Sequence, residues 1–252
     1  MTDLEIKKSL NQYVETLRGK DKEFDKFFSL IEKESETFYI LGGLLRNLYF
    51  EEKNNIRDID IITKNLNLKN LEKFKHKKNR FGSYKFIFNF IDIDLWDFKD
   101  NWGYKNNIIK NQGTLKEISK GTLFNIDSLV MDYKRQIIEK RLFEQIKKSK
   151  RIDFTIRNKR MIKANPCPEI NILRILINSE KYKLKISKEV KKYIYDYLEK
   201  DFYIKLEKIY QSQFKHYNQE KIKMCELKYK LKKLEKRKKF HNNGGIKNDN
   251  KI

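Results

Sequence analysis

The sequence predicts an α+β chain, with a small mixed β-sheet flanked by helices over residues 1–150 and an all-helical, basic region over 151–240. Three observations lead there. Period-two β-branched runs occur only in the first part, helical three- and four-residue spacing dominates the second, and just 2 Pro and 9 Gly interrupt 252 residues. Residues 241–252 are polar, contain Gly244-Gly245, and are expected to be a disordered tail.

Leu4 to about Lys33 carries apolar residues at helical spacing with a break near Gly19-Lys20-Asp21-Lys22, which predicts two helices. Phe38-Tyr39-Ile40-Leu41 then reads as a buried strand that enters a tight turn at Gly42-Gly43, and Leu44 to Phe50 as a helix. Ile56 to Thr63 alternates with period two and predicts a strand. Leu68 to Lys75 reads as a helix, and Tyr84 to Phe98 as one long alternating strand entered through Gly82. Leu123 to Met131 is a further apolar segment, followed by a hairpin turning at Asp132 to Arg135. Later, Ile170–Glu180, Lys188–Glu199, Phe202–Gln211 and Glu220–Phe240 have helical spacing, the first opened by Asn165-Pro166-Cys167-Pro168. No internal repeat is visible.

Composition narrows the partners. Hydrophobic residues at 39% suffice for a folded core, so disorder throughout is excluded. The 58 Lys+Arg against 35 Asp+Glu give a formal charge of +23, a field that attracts polyanions, nucleic acid first and a membrane surface second. Many of these lysines could equally solvate helix faces. Cys167 and Cys225 stand far apart without neighbouring ligands, which argues against zinc or a disulfide framework. Met1 to Lys8 lacks an apolar segment and no run approaches the roughly 20 residues that span a bilayer, so a soluble, cytoplasmic chain is expected.

Three features of the first part bear on chemistry. Gly42-Gly43, between a strand and a helix, lets backbone N–H groups approach an anion, although such a pair is often only a turn. Asp58-Ile59-Asp60 puts two carboxylates on one face of a strand, about 7 Å apart. Such a pair calls for a cation, and Mg²⁺ with substrate phosphates would supply it; the alternative is a polar outer face. Ile91-Asp92-Ile93-Asp94-Leu95-Trp96 repeats the pattern and offers a further carboxylate. Three carboxylates near a glycine turn suit a two-metal site acting on a triphosphate.

Gly42-Gly43-Leu-Leu-Arg46-Asn47 followed by Arg57-Asp58-Ile-Asp60-Ile resembles the signature of the polymerase-β-like nucleotidyltransferases. More narrowly, it resembles the head of bacterial poly(A) polymerases and class II CCA-adding tRNA nucleotidyltransferases, where the pattern is Gly-Gly-x-x-Arg-Asp and then Asp-x-Asp. The resemblance covers roughly residues 37–200. It implies that Asp58 and Asp60 ligate catalytic Mg²⁺, with Asp94, chosen over Asp92, as the third carboxylate. It also implies nucleotide contacts from Gly42, Gly43 and Arg46. Phe124-Asn125-Ile126-Asp127-Ser128-Leu129 is similar to the family's Phe-Thr-Ile-Asn-Ala-Leu, which adds Asp127. Leu173-Arg174 resembles the start of the helical neck, which adds Arg174.

The departures matter too. Asn47 stands where the family has Asp, Gly121-Thr122-Leu123 replace Arg-Arg-Asp, Ile177 replaces a neck Arg, and no Glu-Asp-x-x-Arg base-reading pattern is present. The expectation is therefore a divergent enzyme that transfers NMP from an NTP to an RNA 3′ end, with tRNA as the foremost acceptor and the basic helix near Lys228–Lys239 gripping RNA. Two alternatives are a toxin or defence enzyme of the same chemistry, modifying tRNA or protein and paired with a protein partner, and an RNA-binding pseudoenzyme. Trp96, Trp102, Phe98 and Tyr104 are read mainly as core or surface cover. His76, His216 and His241 receive no role.

Overall fold

Two helices begin the chain because apolar residues recur on one side of each. α1 (Asp3–Lys20) buries Ile6, Leu10, Val14 and Leu17, and a Thr2–Glu5 capping box closes its first turn. α2 (Lys22–Glu34) buries Phe24, Phe27, Phe28 and Ile31. Asp21 separates them, accepting from the N–H groups of Glu23 and Phe24 through Oδ1 and from that of Asn89 through Oδ2. One buried carboxylate thus starts a helix and holds a distant turn.

The computed structural model describes residues 1–52, 56–79, 82–110, 113–198, 202–212 and 223–243, the last nine in backbone only. After α2 come β1 (Thr37–Leu41), α3 (Gly43–Tyr49), β2 (Asp58–Lys64), β3 (His76–Lys78), β4 (Tyr84–Ile87), β5 (Asp92–Asp97), α4 (Trp102–Lys105), α5 (Leu115–Gly121), β6 (Val130–Asp132), β7 (Ile137–Glu139) and α6 (Arg141–Ser149). The seven strands form one sheet in the order β3-β4-β5-β2-β1-β6-β7. Its central pair, β2 and β5, is parallel and the other pairs are antiparallel, so the sheet is mixed as the sequence predicts.

One face of the sheet presents Phe38, Ile40, Ile59, Ile61, Phe86 and Ile93, all buried. α2 covers it with aromatic contacts, Phe27 to Phe86 at 4.5 Å between ring centres and Phe28 to Phe38 at 5.7 Å. The opposite face is divided. At one end Tyr39 and Ile62, with partly buried Leu41 and Trp96, pack under Phe98, Tyr104, Ile109, Leu115 and Ile118. At the other end that face is acidic.

The chain forms two compact units. The first comprises 1–149 and 154–165; the second comprises 150–153 and 166–252. α7 (Lys159–Ala164) belongs to the first unit, whereas β8 (Arg151–Ile152) pairs with β9 (Lys185–Ile186) inside the second. The second unit is otherwise helical: α8 (Pro168–Lys181), α9 (Lys188–Tyr197), α10 (Phe202–Ser212) and α11 (Met224–Asn243). Its core takes Ile172, Leu176, Val190, Ile194, Leu206, Leu227 and Leu231. No helix among the described residues is long and apolar enough to cross a membrane.

Several elements differ from expectation. Tyr84–Phe98 is a hairpin rather than one strand, with Phe88 N–H donating to Ile91 O across its turn. Fifteen extended residues would run about 50 Å, longer than this sheet can pair. Leu68–Lys75 yields only a 3₁₀ turn at Leu68–Leu71. The short helices α4 to α7 escaped the pattern because each is three turns or fewer. The expected Glu220 helix starts at Met224 and runs through His241 to Asn243, so the first residues assigned to the tail are helical. Residues 220–222 and 244–252 lie outside the described residues.

Phe27 touches Phe74, Phe86 and Phe88 and is fully buried. Phe27→Ala should therefore destabilise the first unit by about 3–5 kcal/mol. Urea denaturation measures this; a loss below about 1 kcal/mol would mean that the aromatic layer is not the core of this unit.

Candidate active site

The acidic end of the sheet follows from strand register. β2 and β5 run parallel with Asp58 beside Asp92 and Asp60 beside Asp94. Residues two apart on a strand share a face, and so do direct neighbours across strands. All four carboxylates therefore lie on one face, about 7 Å apart along each strand and about 5 Å across. Ile59, Ile61, Ile93 and Leu95 alternate with them and are buried on the opposite face.

The hairpin adds a residue that a single long strand would have placed elsewhere. Lys85 pairs in register with Asp94, and its Nζ lies 3.3 Å from Asp94 Oδ1 and 3.5 Å from Asp92 Oδ2. Burial pushes the Asp94 carboxyl above its usual range; Lys85 pulls it back, while Asp58 and Asp92 push with burial, and the net shift is upward. Burial works against the Lys85 ammonium, but Asp94, Asp58 and Asp92 together outweigh it and raise its pKa.

β1 ends at this face, with Leu41 opposite Asp60. Gly42 follows at φ +75°, in the left-handed region, and caps α3 without a side chain. A Cβ at Gly42 would meet Asp60 Oδ2 at 2.6 Å, so the turn closes directly against that carboxylate. A Cβ at Gly43 would meet only the Arg46 guanidinium, at 3.5 Å. Arg46 forms an ion pair with Asp127 in a half-buried position.

Among the described residues no group of three His, Cys, Asp or Glu side chains is arranged to hold a metal ion. The donor set nevertheless fits one. Carboxylate oxygens are the hard ligands that Mg²⁺ takes, and among the described residues the buried Asp94 Oδ1 is paired only with the Lys85 ammonium.

No family model and no curated protein matches this sequence. Solved structures do. The chain is similar to a CCA-adding enzyme in complex with CTP (TM-score 0.53, 16% identity, covering 85% of this chain and 52% of that one). It is similar to a CCA-adding enzyme in complex with ATP (0.52, 17%, 79% and 50%). It also matches the Thermotoga maritima CCA-adding enzyme complexed with tRNA (0.50, 18%, 73% and 44%). The chain has the fold of CCA-adding enzymes.

The chain spans about half the length of these CCA-adding enzymes. Within this fold, Asp58, Asp60, Asp94 and Gly42 come together, and Arg46 and Asp127 meet each other. Arg174 lies in the second unit, exposed on α8. Asp92 shares the acidic face, although sequence reasoning set it aside. Lys85 was missed; the one signal for it was the polar Asn89, which marks a possible turn. Trp96, Phe98 and Tyr104 belong to the apolar cluster at the other end of the face.

The two glycines should behave differently. Gly42→Ala combines a left-handed backbone with a clash on Asp60 and should cost about 1–3 kcal/mol. Gly43→Ala should stay within about 0.5 kcal/mol of the parent. Thermal melts of the pair check this, and equal melting temperatures would contradict the close packing of Gly42 on Asp60.

Proposed function

We propose that this chain is a Mg²⁺-dependent nucleotidyltransferase that moves a nucleoside monophosphate from an NTP to an RNA 3′ end, with tRNA as the acceptor. The observation that carries the reading is the in-register pairing of Asp58-x-Asp60 with Asp92-x-Asp94 on one face, closed by Gly42, in a fold shared with CCA-adding enzymes. The CTP, ATP and tRNA bound by those enzymes support the nucleotide and the acceptor.

In this proposal Asp58, Asp60 and Asp94 hold the metal ions. Bound divalent ions supply charge stabilisation for the triphosphate and for the departing pyrophosphate. Gly42 and Gly43 leave room for phosphate oxygens near backbone N–H groups. The 3′-oxygen forms a bond to the α-phosphorus as the bond from that phosphorus to the bridging β-phosphate oxygen breaks. Asp94 helps activate the acceptor hydroxyl and takes its proton on the carboxylate oxygen that does not hold metal. Arg46 stiffens the turn through Asp127 and becomes available to phosphate when that pair opens.

RNA binding is assigned to the second unit. On α11, Lys232 and Lys233 are exposed, whereas Lys228 is engaged with Glu207 and Lys230 with Glu180. The exposed pair is the better source of phosphate contacts.

Asp58→Asn and Asp60→Asn should each lower nucleotide transfer about a thousandfold or more while leaving the circular dichroism spectrum unchanged. Labelled NTPs, Mg²⁺ and tRNA lacking its 3′ end provide the assay. Near-parental turnover by either variant would remove these residues from catalysis, and no transfer by the parent with any NTP would favour an RNA-binding protein without activity.

The sequence carries no Glu-Asp-x-x-Arg pattern to read the incoming base, so stacking and shape, worth about 1–3 kcal/mol, would govern nucleotide choice. The expected product is one nucleotide type, or a loosely related set, rather than ordered C, C and A. Sequencing the 3′ ends after incubation with all four NTPs decides this; faithful CCA on most molecules would point to another template on the second unit.

A further inference from the structure

Lys85 is the feature of the acidic face that the proposed reaction leaves unexplained. Its Nζ lies within 3.5 Å of Asp92 and 3.3 Å of Asp94, on the strand that pairs directly with Asp94. Among the described residues, Lys85 is the cation paired with the buried Asp94 Oδ1. We propose that the Lys85 ammonium is a resident counter-ion of Asp94 that competes with a divalent cation for that carboxylate. The inference rests on the reading of Asp58, Asp60 and Asp94 as metal-holding residues.

The competition follows from charge and reach. An ammonium and a divalent ion on one carboxylate oxygen repel each other strongly at separations near 4 Å, so one must leave. Lysine can leave. Its side chain is 36% exposed and sits on a flexible four-carbon stem that can turn the charge into water. Asp94 is 21% exposed on a β-strand, and its short side chain cannot follow. With Lys85 in place Asp92 and Asp94 share a counter-ion without metal; with Lys85 withdrawn, Asp94 can complete the metal site. A lysine that merely props up the strands would affect stability and leave metal affinity alone.

Lys85→Met keeps the length of the stem and removes the charge. Mn²⁺ alone, titrated without nucleotide and followed by electron paramagnetic resonance, should bind this variant at least about tenfold more tightly than the parent. Lys85→Arg, which keeps the charge, should retain the parent's affinity. Asp60→Asn should weaken Mn²⁺ binding and so locate the ion on this face. In the parent, Mn²⁺ should increase acetylation of Lys85 by acetic anhydride, read by mass spectrometry, which serves even if the methionine variant fails to fold. Equal Mn²⁺ affinity in Lys85→Met and parent, or unchanged Lys85 labelling, overturns the competition while leaving the acidic face as a metal site. Absence of Mn²⁺ binding in both proteins, or binding unaffected by Asp60→Asn, overturns the metal reading and the competition together.

Discussion

The in-register parallel pairing of β2 with β5 is the constraint on which the first unit depends. Side chains on a strand alternate, so a slip of one residue would turn Ile59 and Ile61 outward and bury the acids. A slip of two would leave either Asp60 and Asp92 or Asp58 and Asp94 without their acidic neighbours. The apolar side chains on the back face fix the parity of the register, because any odd slip would turn Ile59 and Ile61, or Ile93 and Leu95, away from the helices. Core packing and the acidic constellation are therefore two sides of one alignment. The same alignment brings like charges within reach of each other and creates the need for positive charge on that face.

The divided face gives those charges their setting. Ile62 and Trp96 continue the strands that carry Asp60 and Asp94, yet they lie under the apolar cover built from Phe98 to Ile118. One end of the face is dry and the other is open. Asp94 stands next to this boundary, which explains why burial dominates its titration, while the Asp58 carboxylate lies one residue pair further away.

Much of this was legible in sequence. The strand at Asp58–Asp60, the turn at Gly42-Gly43, the first two helices and the mixed sheet followed from period and glycine placement, since each is a local pattern. The β4–β5 turn was not. Phe88 and Phe90 flank Asn89 and prolong the alternation through the bend; Phe88 is held by the aromatic layer and Phe90 is exposed at the tip, a distinction that only tertiary contact makes. Lys85 was lost with that turn, because its partner Asp94 is nine residues away and meets it only once the chain reverses. The pairing of Arg46 with Asp127 spans 81 residues and has no local signal either. The interleaving of the two units at 150–165 was likewise invisible, since a two-residue strand has no period.

The two oxygens of Asp21 have a consequence for dynamics. One caps α2 and the other holds the Asn89 amide in the β4–β5 turn, 68 residues along the chain. Fraying of the helix start and opening of the hairpin therefore draw on the same group. Amide protons at Phe24 and Asn89 both donate to this carboxylate, so Asp21→Ala should speed solvent exchange at both, although one lies in a helix and the other in a turn. Through that shared carboxylate, the first turn of α2 is tied to the hairpin whose strand β4 carries Lys85.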